Sequence, residues 1–238
     1  MKLVNSLLNF IMYVALAPLV LVSLYVIYDS CKVSKSAAID ASLVSLVNQD
    51  GDEVFDALEE ESEYTIAWLR IGGTNINYPV MQNSEYYLRR NIYKEYSTYG
   101  TPFLADYCNI NLSDNLIIYG HHIKSGMMFA DLNKYKSYDY YLNHKTIKLY
   151  KLQETETIEE EYKIISCFKT TVNKGGFKYY NFFNATSEAD YNSFVEQCRE
   201  LSFYNIEDTA KYRDKLITLS TCEYSLNNGR MVVVAKKI

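Results

Sequence analysis

The 238-residue sequence predicts a mainly β domain with peripheral helices, preceded by an apolar N-terminal segment. Three observations carry that prediction. Short β-branched and aromatic runs recur from residue 64 onward with turn residues between them. Helical spacing of apolar residues is confined to a few segments between those runs. Residues 3–28 contain no charged side chain, which separates them from everything that follows. Many short strands in succession point to a barrel or a sandwich.

Taken in order, residues 1–31 read as a membrane anchor. At 1.5 Å per residue the uncharged run exceeds the ~30 Å hydrocarbon core, so a tilted spanning helix fits, and Pro18 is tolerable within it. A cleaved signal peptide is the alternative. The apolar run is longer than a signal core, however, and the nearest small-residue site, Ser36-Ala37-Ala38, lies well past its end. Lys2 on one side balances against Lys32 and Lys35 on the other, so loop charge does not decide orientation. Residues 32–63 read as a helical extension of two short helices. Ile39, Leu43, Leu46 and Val47 form one apolar face, Val54, Phe55 and Leu58 the other, and Asn48-Gln49-Asp50-Gly51-Asp52 turns between them. The acidic cluster at 59–63 reads as a solvated face.

Residues 64–238 form the third unit. Strands are expected at 64–71, 76–81, 101–105, 115–119, 146–150 and 161–171, followed by a closing hairpin, with helical interruptions at 84–91, 126–134, 138–143 and 187–201. Cys198 lies on the apolar face of the last helix with Tyr191, Phe194, Val195 and Leu201, and reads as core. Cys167, in the strand-like 162–168, reads the same way, and Cys108 is left undetermined. Five cysteines is an odd number, so at least one thiol is unpaired. The net charge of −5, with no basic block interleaved with aromatics, argues against a nucleic-acid partner. Neither a metal nor a cofactor is expected.

The closing segment carries the chemistry. Residues 215–221 and 230–236 are apolar and β-branched, and Asn227-Asn228-Gly229 supplies residues that tolerate φ > 0. If Cys222 and Arg230 pair across this hairpin, a thiol and a guanidinium share one face. A thiolate is a nucleophile for acyl transfer, and a fixed cation can hold an oxygen on which negative charge develops. A lone cysteine after an apolar strand is usually a core residue. Ser220 and Thr221 before Cys222, charged Glu223 after it and Arg230 opposite move it away from that reading. Arg230 could instead be a rim charge paired with Glu223. An acid or base must come from three histidines: His121 and His122 end the strand 115–119 after Gly120, and His144 reads as surface. Adjacent strand residues face opposite sides, so only one of His121 and His122 can face Cys222, and the residues alone do not say which.

Thr218-Leu219-Ser220-Thr221-Cys222, Arg230 after a short loop, and Tyr119-Gly120-His121-His122 about a hundred residues earlier resemble a class B sortase over residues 64–238. Such enzymes are membrane-anchored cysteine transpeptidases of Gram-positive bacteria. The resemblance implies a closed β-barrel of seven to eight strands with an N-terminal helical extension and one transmembrane helix. It selects His121 as the acid and base, Cys222 as nucleophile and Arg230 as the oxyanion or substrate-orienting group. It also suggests Leu88 as an apolar wall; Ser220, on the Cys222 face of the strand, and Glu223 are the further substrate-binding candidates, and residues 170–183, joining two strand-like regions through Gly175-Gly176, read as a mobile groove loop. The implied reaction is attack of Cys222 on the Thr carbonyl of an Asn-Pro-x-Thr-like C-terminal sorting signal of a secreted protein. A thioacyl enzyme then transfers that protein to a peptidoglycan cross-bridge amine. The implied location is the cytoplasmic membrane, single-pass, with the catalytic domain outside. Rival readings are a cysteine endopeptidase with the same residues, a pilus-assembling sortase, and a non-catalytic surface binding protein.

Overall fold

The structure is a computed structural model that describes residues 2–47, 64–82, 84–153 and 156–238. Helix α1, Lys2–Val47, runs unbroken through Pro18. From Phe10 to Cys31 it is long and apolar enough to cross a membrane, with its side chains exposed on every side. No Gly or Pro lies between Pro18 and Val47 to stop it. It therefore passes residue 31 and absorbs the first of the two short helices expected beyond. The second, around Val54, Phe55 and Leu58, and the acidic cluster lie outside the described residues. Up to Ser45 the helix is one compact unit, and the remainder of the chain is a second.

The second unit is a closed barrel of eight strands: β1 Thr65–Arg70, β2 Asn77–Met81, β3 Phe103–Leu104, β4 Asn115–Tyr119, β5 Thr146–Gln153, β6 Glu156–Thr171, β7 Leu216–Glu223 and β8 Gly229–Lys237. Their order around the barrel is β1-β2-β3-β4-β7-β8-β6-β5, and β5 closes onto β1. The pairs β2–β3 and β4–β7 are parallel and the rest antiparallel. Strands β5 and β6 extend past the expected ends because their polar hairpin is held by ladder pairs and by Lys148 against Glu159.

Directly paired residues share a face, so the register defines rows across the barrel. One row runs Leu104, Ile118, Leu219, Val233 and Cys167, all fully buried. The opposite face carries Phe103, Tyr119, Ser220, Val232 and Phe168. Strands β4, β7 and β8 are covered on both faces, which is why they read as near-continuous apolar runs. Burial of each large side chain there contributes about 1.5–3 kcal/mol.

Among the described residues five helical elements flank the barrel, one of them the 3-10 turn Tyr179–Asn181. Helix α2, Ser84–Tyr87, is one turn of the helix expected over 84–91. A 3-10 helix, Ala130–Lys136, replaces the one expected from Gly126, because Gly126 and Met128 adopt φ of 90° and 55°. Helix α3, Tyr138–Asn143, matches expectation. Helix α4, Glu188–Leu201, starts at Ser187, whose hydroxyl accepts from the Asp190 amide, and buries Tyr191, Phe194, Val195 and Cys198. The Ser166 hydroxyl of β6 donates to the Cys198 carbonyl and ties α4 to the barrel.

Candidate active site

The site forms where β4 and β7 end together. Tyr119 pairs with Ser220, and the Gly120 amide extends that ladder by donating to the Ser220 carbonyl at 3.1 Å. Two residues on from Ser220 is Cys222, still within β7, so alternation keeps both on one face; His121 follows Tyr119 by two residues, past the end of β4. Cys222 pairs with Arg230 and Arg230 with Thr170. Cys222, Arg230 and Thr170 thus form a row toward the barrel rim, and His121 stands just past the end of β4. Gly120 is required here because a Cβ on it would stand 2.5 Å from the Phe129 ring. The Phe129 amide donates to the His121 carbonyl at 2.9 Å and fixes the turn.

His121 is half-buried, with Nε2 2.8 Å from the Leu88 carbonyl oxygen. Burial lowers its pKa below the ordinary histidine value; the Leu88 carbonyl opposes this and the Arg89 cation adds to it. His122 does different work. Its Nδ1 lies 3.0 Å from the Cys222 carbonyl oxygen. The Asn133 amide lies 3.1 Å from that nitrogen, and the Tyr224 hydroxyl donates to the His122 carbonyl at 3.2 Å. His122 therefore grips the Cys222 main chain.

Arg230 is half-buried and donates from Nη1 to the Gly229 carbonyl at 2.9 Å, with the Asn228 carbonyl at 3.5 Å. Those contacts engage one terminal nitrogen of a group with five N–H donors. Asn228 takes the positive φ of the hairpin turn, at 51°.

Four expectations change. Glu223 does not mark solvent and does not pair with Arg230: its side chain is 3% exposed and bonds Lys136 Nζ at 2.6 Å. The physical reason is alternation, which turns Glu223 away from the Cys222 face. Burial pushes the Glu223 carboxyl up, but Lys136 and Ser225 outweigh it and hold it below the usual range. Ser220 shares the Cys222 face as expected, yet it is buried, with its hydroxyl 2.6 Å from that of Tyr179. His144 is half-buried, stacked on Tyr140 with ring centroids 4.1 Å apart. Leu88 is exposed, and what it brings to His121 is its main-chain oxygen.

The segment 172–183 is docked onto the barrel. The Phe177 amide donates to the Thr170 hydroxyl at 3.0 Å, Asn115 Nδ2 to the Phe182 carbonyl at 2.8 Å, and the Asn115 amide to the Phe183 carbonyl at 3.0 Å. Burial pushes the Tyr179 phenol up to about 12, against the lowering influence of Ser220 and of the Arg230 cation. All five cysteines are free. Burial pushes Cys108 up to about 11 and Cys167 to about 12, which suppresses their thiolates; Cys222 is the half-buried one at the strand mouth. Among the described residues no group of His, Cys, Asp and Glu is arranged to hold a metal. Leu88 O, Lys136 and Tyr179 were not legible as site partners, because each reaches the site from an irregular segment or a distant element.

The Sortase domain family model matches residues 69–238. Sortase B of Listeria monocytogenes is 33% identical over 205 residues, covering 84% of this chain and 79% of that one. The chain belongs to the sortase B family. Among solved structures, sortase B of Bacillus anthracis superposes with a TM-score of 0.75 at 26% identity, over 86% of this chain and 97% of that one. Sortase B of Staphylococcus aureus does so at 0.71 and 28%, over 89% and 96%. This sortase is accordingly a cysteine transpeptidase on a closed eight-stranded barrel.

Proposed function

We propose that Cys222 is the nucleophile of this sortase, His121 its general acid and base, and Arg230 the donor to the developing oxyanion. The observations that support the reading are the β7–β8 ladder, which pairs Cys222 with Arg230, and the end of β4 beside β7, from which Gly120 leads directly to His121. The substrate is the C-terminal sorting signal of a secreted protein, an Asn-Pro-x-Thr-like pentapeptide. The Cys222 thiol gives its proton to His121 as the sulfur attacks the Thr carbonyl carbon, the peptide C–N bond breaks, and His121 passes that proton to the departing amine. An incoming peptidoglycan amine then attacks the thioester, gives its proton to His121 and releases the thiolate. The S. aureus relative is solved as a substrate complex, and another sortase B as a complex with triglycine, which support a peptide donor and an amine acceptor. The apolar stretch Phe10–Cys31 spans the membrane and leaves the barrel outside. Exposed Leu88 forms one wall of the peptide groove.

The test is incubation of the full chain in detergent with candidate pentapeptides, with and without triglycine, read by mass spectrometry. Ligated product with triglycine is expected. Cleavage without any ligation would reassign the enzyme as an endopeptidase, and no cleavage of any sorting peptide would overturn the substrate reading.

A further inference from the structure

The loop that leads from α2 to β3 is pinned at both ends. Tyr87 is fully buried against the Tyr64 and Tyr86 rings, and its carbonyl accepts from the Thr101 amide at 3.0 Å. The Thr101 hydroxyl donates to the Arg90 carbonyl at 2.9 Å, and the Ser97 amide to the Arg89 carbonyl at 2.9 Å. Inside this clasp Gly100 adopts φ of 61° directly beside Leu88. A Cβ on Gly100 would stand 2.5 Å from Leu88 O, 2.9 Å from Tyr87 O and 3.0 Å from the Leu88 carbonyl carbon. Only glycine leaves room for that carbonyl, and it is the one that meets His121 Nε2 at 2.8 Å.

A carbonyl oxygen accepts and never donates, so Nε2 must carry a hydrogen. A neutral imidazole has one N–H, which leaves the lone pair on Nδ1. We propose that the Leu88 main-chain carbonyl, seated by Gly100, is the positioning group of His121, fixing the Nε2–H tautomer and leaving Nδ1 as the nitrogen that exchanges protons during transpeptidation. The inference rests on His121 being the acid and base. In serine protease triads a carboxylate orients the histidine ring; here a main-chain dipole holds it, with no added negative charge. Such a partner favours the imidazolium, while burial and the Arg89 cation act against it.

The first test is nitrogen-15 spectroscopy of histidine-labelled full-length protein in detergent, with His121→Gln assigning the signal. A His121 ring protonated at Nε2 is expected when neutral. A dominant Nδ1–H tautomer would overturn the proposal. The second is Gly100→Ala, where displacement of the carbonyl should cost roughly 10²-fold in turnover, the scale of a small misplacement of a catalytic group. Alkylation of Cys222 by iodoacetamide should be retained, and the His121 tautomer should become mixed. Unchanged turnover and tautomer would remove Gly100 from the positioning set. Should Gly100→Ala not fold, an amide-to-ester replacement between Leu88 and Arg89 weakens the same acceptor without adding an atom. It should slow turnover several-fold and lower the acid limb of the rate profile, because it weakens the bond that favours the cation. An ester protein with wild-type rate and limb would sink the proposal. Full activity in His121→Ala with the Nε2–H tautomer intact in the wild type would instead show that the acid-base reading is what failed.

Discussion

Cys222 and Arg230 occupy one ladder position of the β7–β8 hairpin, whereas His121 stands beyond the β4–β7 ladder with its ring tied to a carbonyl 33 residues earlier in the chain. On the hairpin side, register alone aims both side chains, and the cross-strand hydrogen bonds that set it are shared with a buried sheet. On the histidine side, the ring direction depends on a loop with its own clasp. The hairpin side is therefore robust to local change, and the histidine side is sensitive to distant main-chain geometry.

The largest effect should come from Cys222→Ala, which abolishes turnover while leaving stability within about 1 kcal/mol, since the side chain is small and half-buried at a strand mouth. Circular dichroism and melting check the fold, and retained cleavage by a folded variant would end the nucleophile assignment. Next, His121→Ala should lose about 10²–10⁴-fold in turnover, and His122→Ala only a few-fold, with about 1 kcal/mol of stability from the lost bond to the Cys222 carbonyl. Equal losses would mean that the strand faces are misread. The pH dependence follows the same contrast. Burial holds the folded His121 pKa below the ordinary value of about 6.5, so an unfolded chain takes up a proton that the folded one refuses. Acidification through that range should lower stability in the wild type but less in His121→Gln.

Arg230→Lys keeps charge and loses the planar fork, and should cost about 10²–10³-fold in acylation if directed hydrogen bonds hold the oxyanion. Near-normal alkylation of Cys222 alongside that loss would support the directed role; parallel loss of both would reassign Arg230 to tuning the thiol. The smallest effect is away from the reacting groups. Lys136→Met leaves the buried Glu223 carboxylate with Ser225 alone and should lower stability by about 1–2 kcal/mol with turnover nearly intact. The Glu223 pKa is depressed in the fold, so the pair's contribution is complete above about pH 4.3 and is lost as pH falls through the folded value. A flat acid limb of stability in the wild type would contradict that pairing.

The same division explains what could be read from the sequence. Every strand fell within or beside an expected strand segment, and the Cys222–Arg230 pairing, posed as a condition on the hairpin, is the one the ladder shows. Helix α4 was legible because its apolar face and Ser187 cap are local. Glu223 was misjudged because its charge suggested solvent, and nothing near it in sequence announces Lys136, 87 residues away. Leu88 was named for its side chain, while the hydrogen-bonding group is one that every residue carries. Ser220 was placed on the right face, but its cover, Tyr179, arrives from a loop whose docking depends on tertiary contacts.

The parallel pairing of β4 with β7 has a consequence for the order of events in folding. Strands β7 and β8 follow the other six in the chain yet lie between β4 and β6, so the barrel cannot close until they insert. That step joins segments separated by about a hundred residues, a slow closure on contact-order grounds. The thiol, the guanidinium and the imidazole row come together in that same closure. Residues scattered over more than a hundred positions of the chain thus become neighbours only with the completed barrel, which ties assembly of the candidate site to the end of folding.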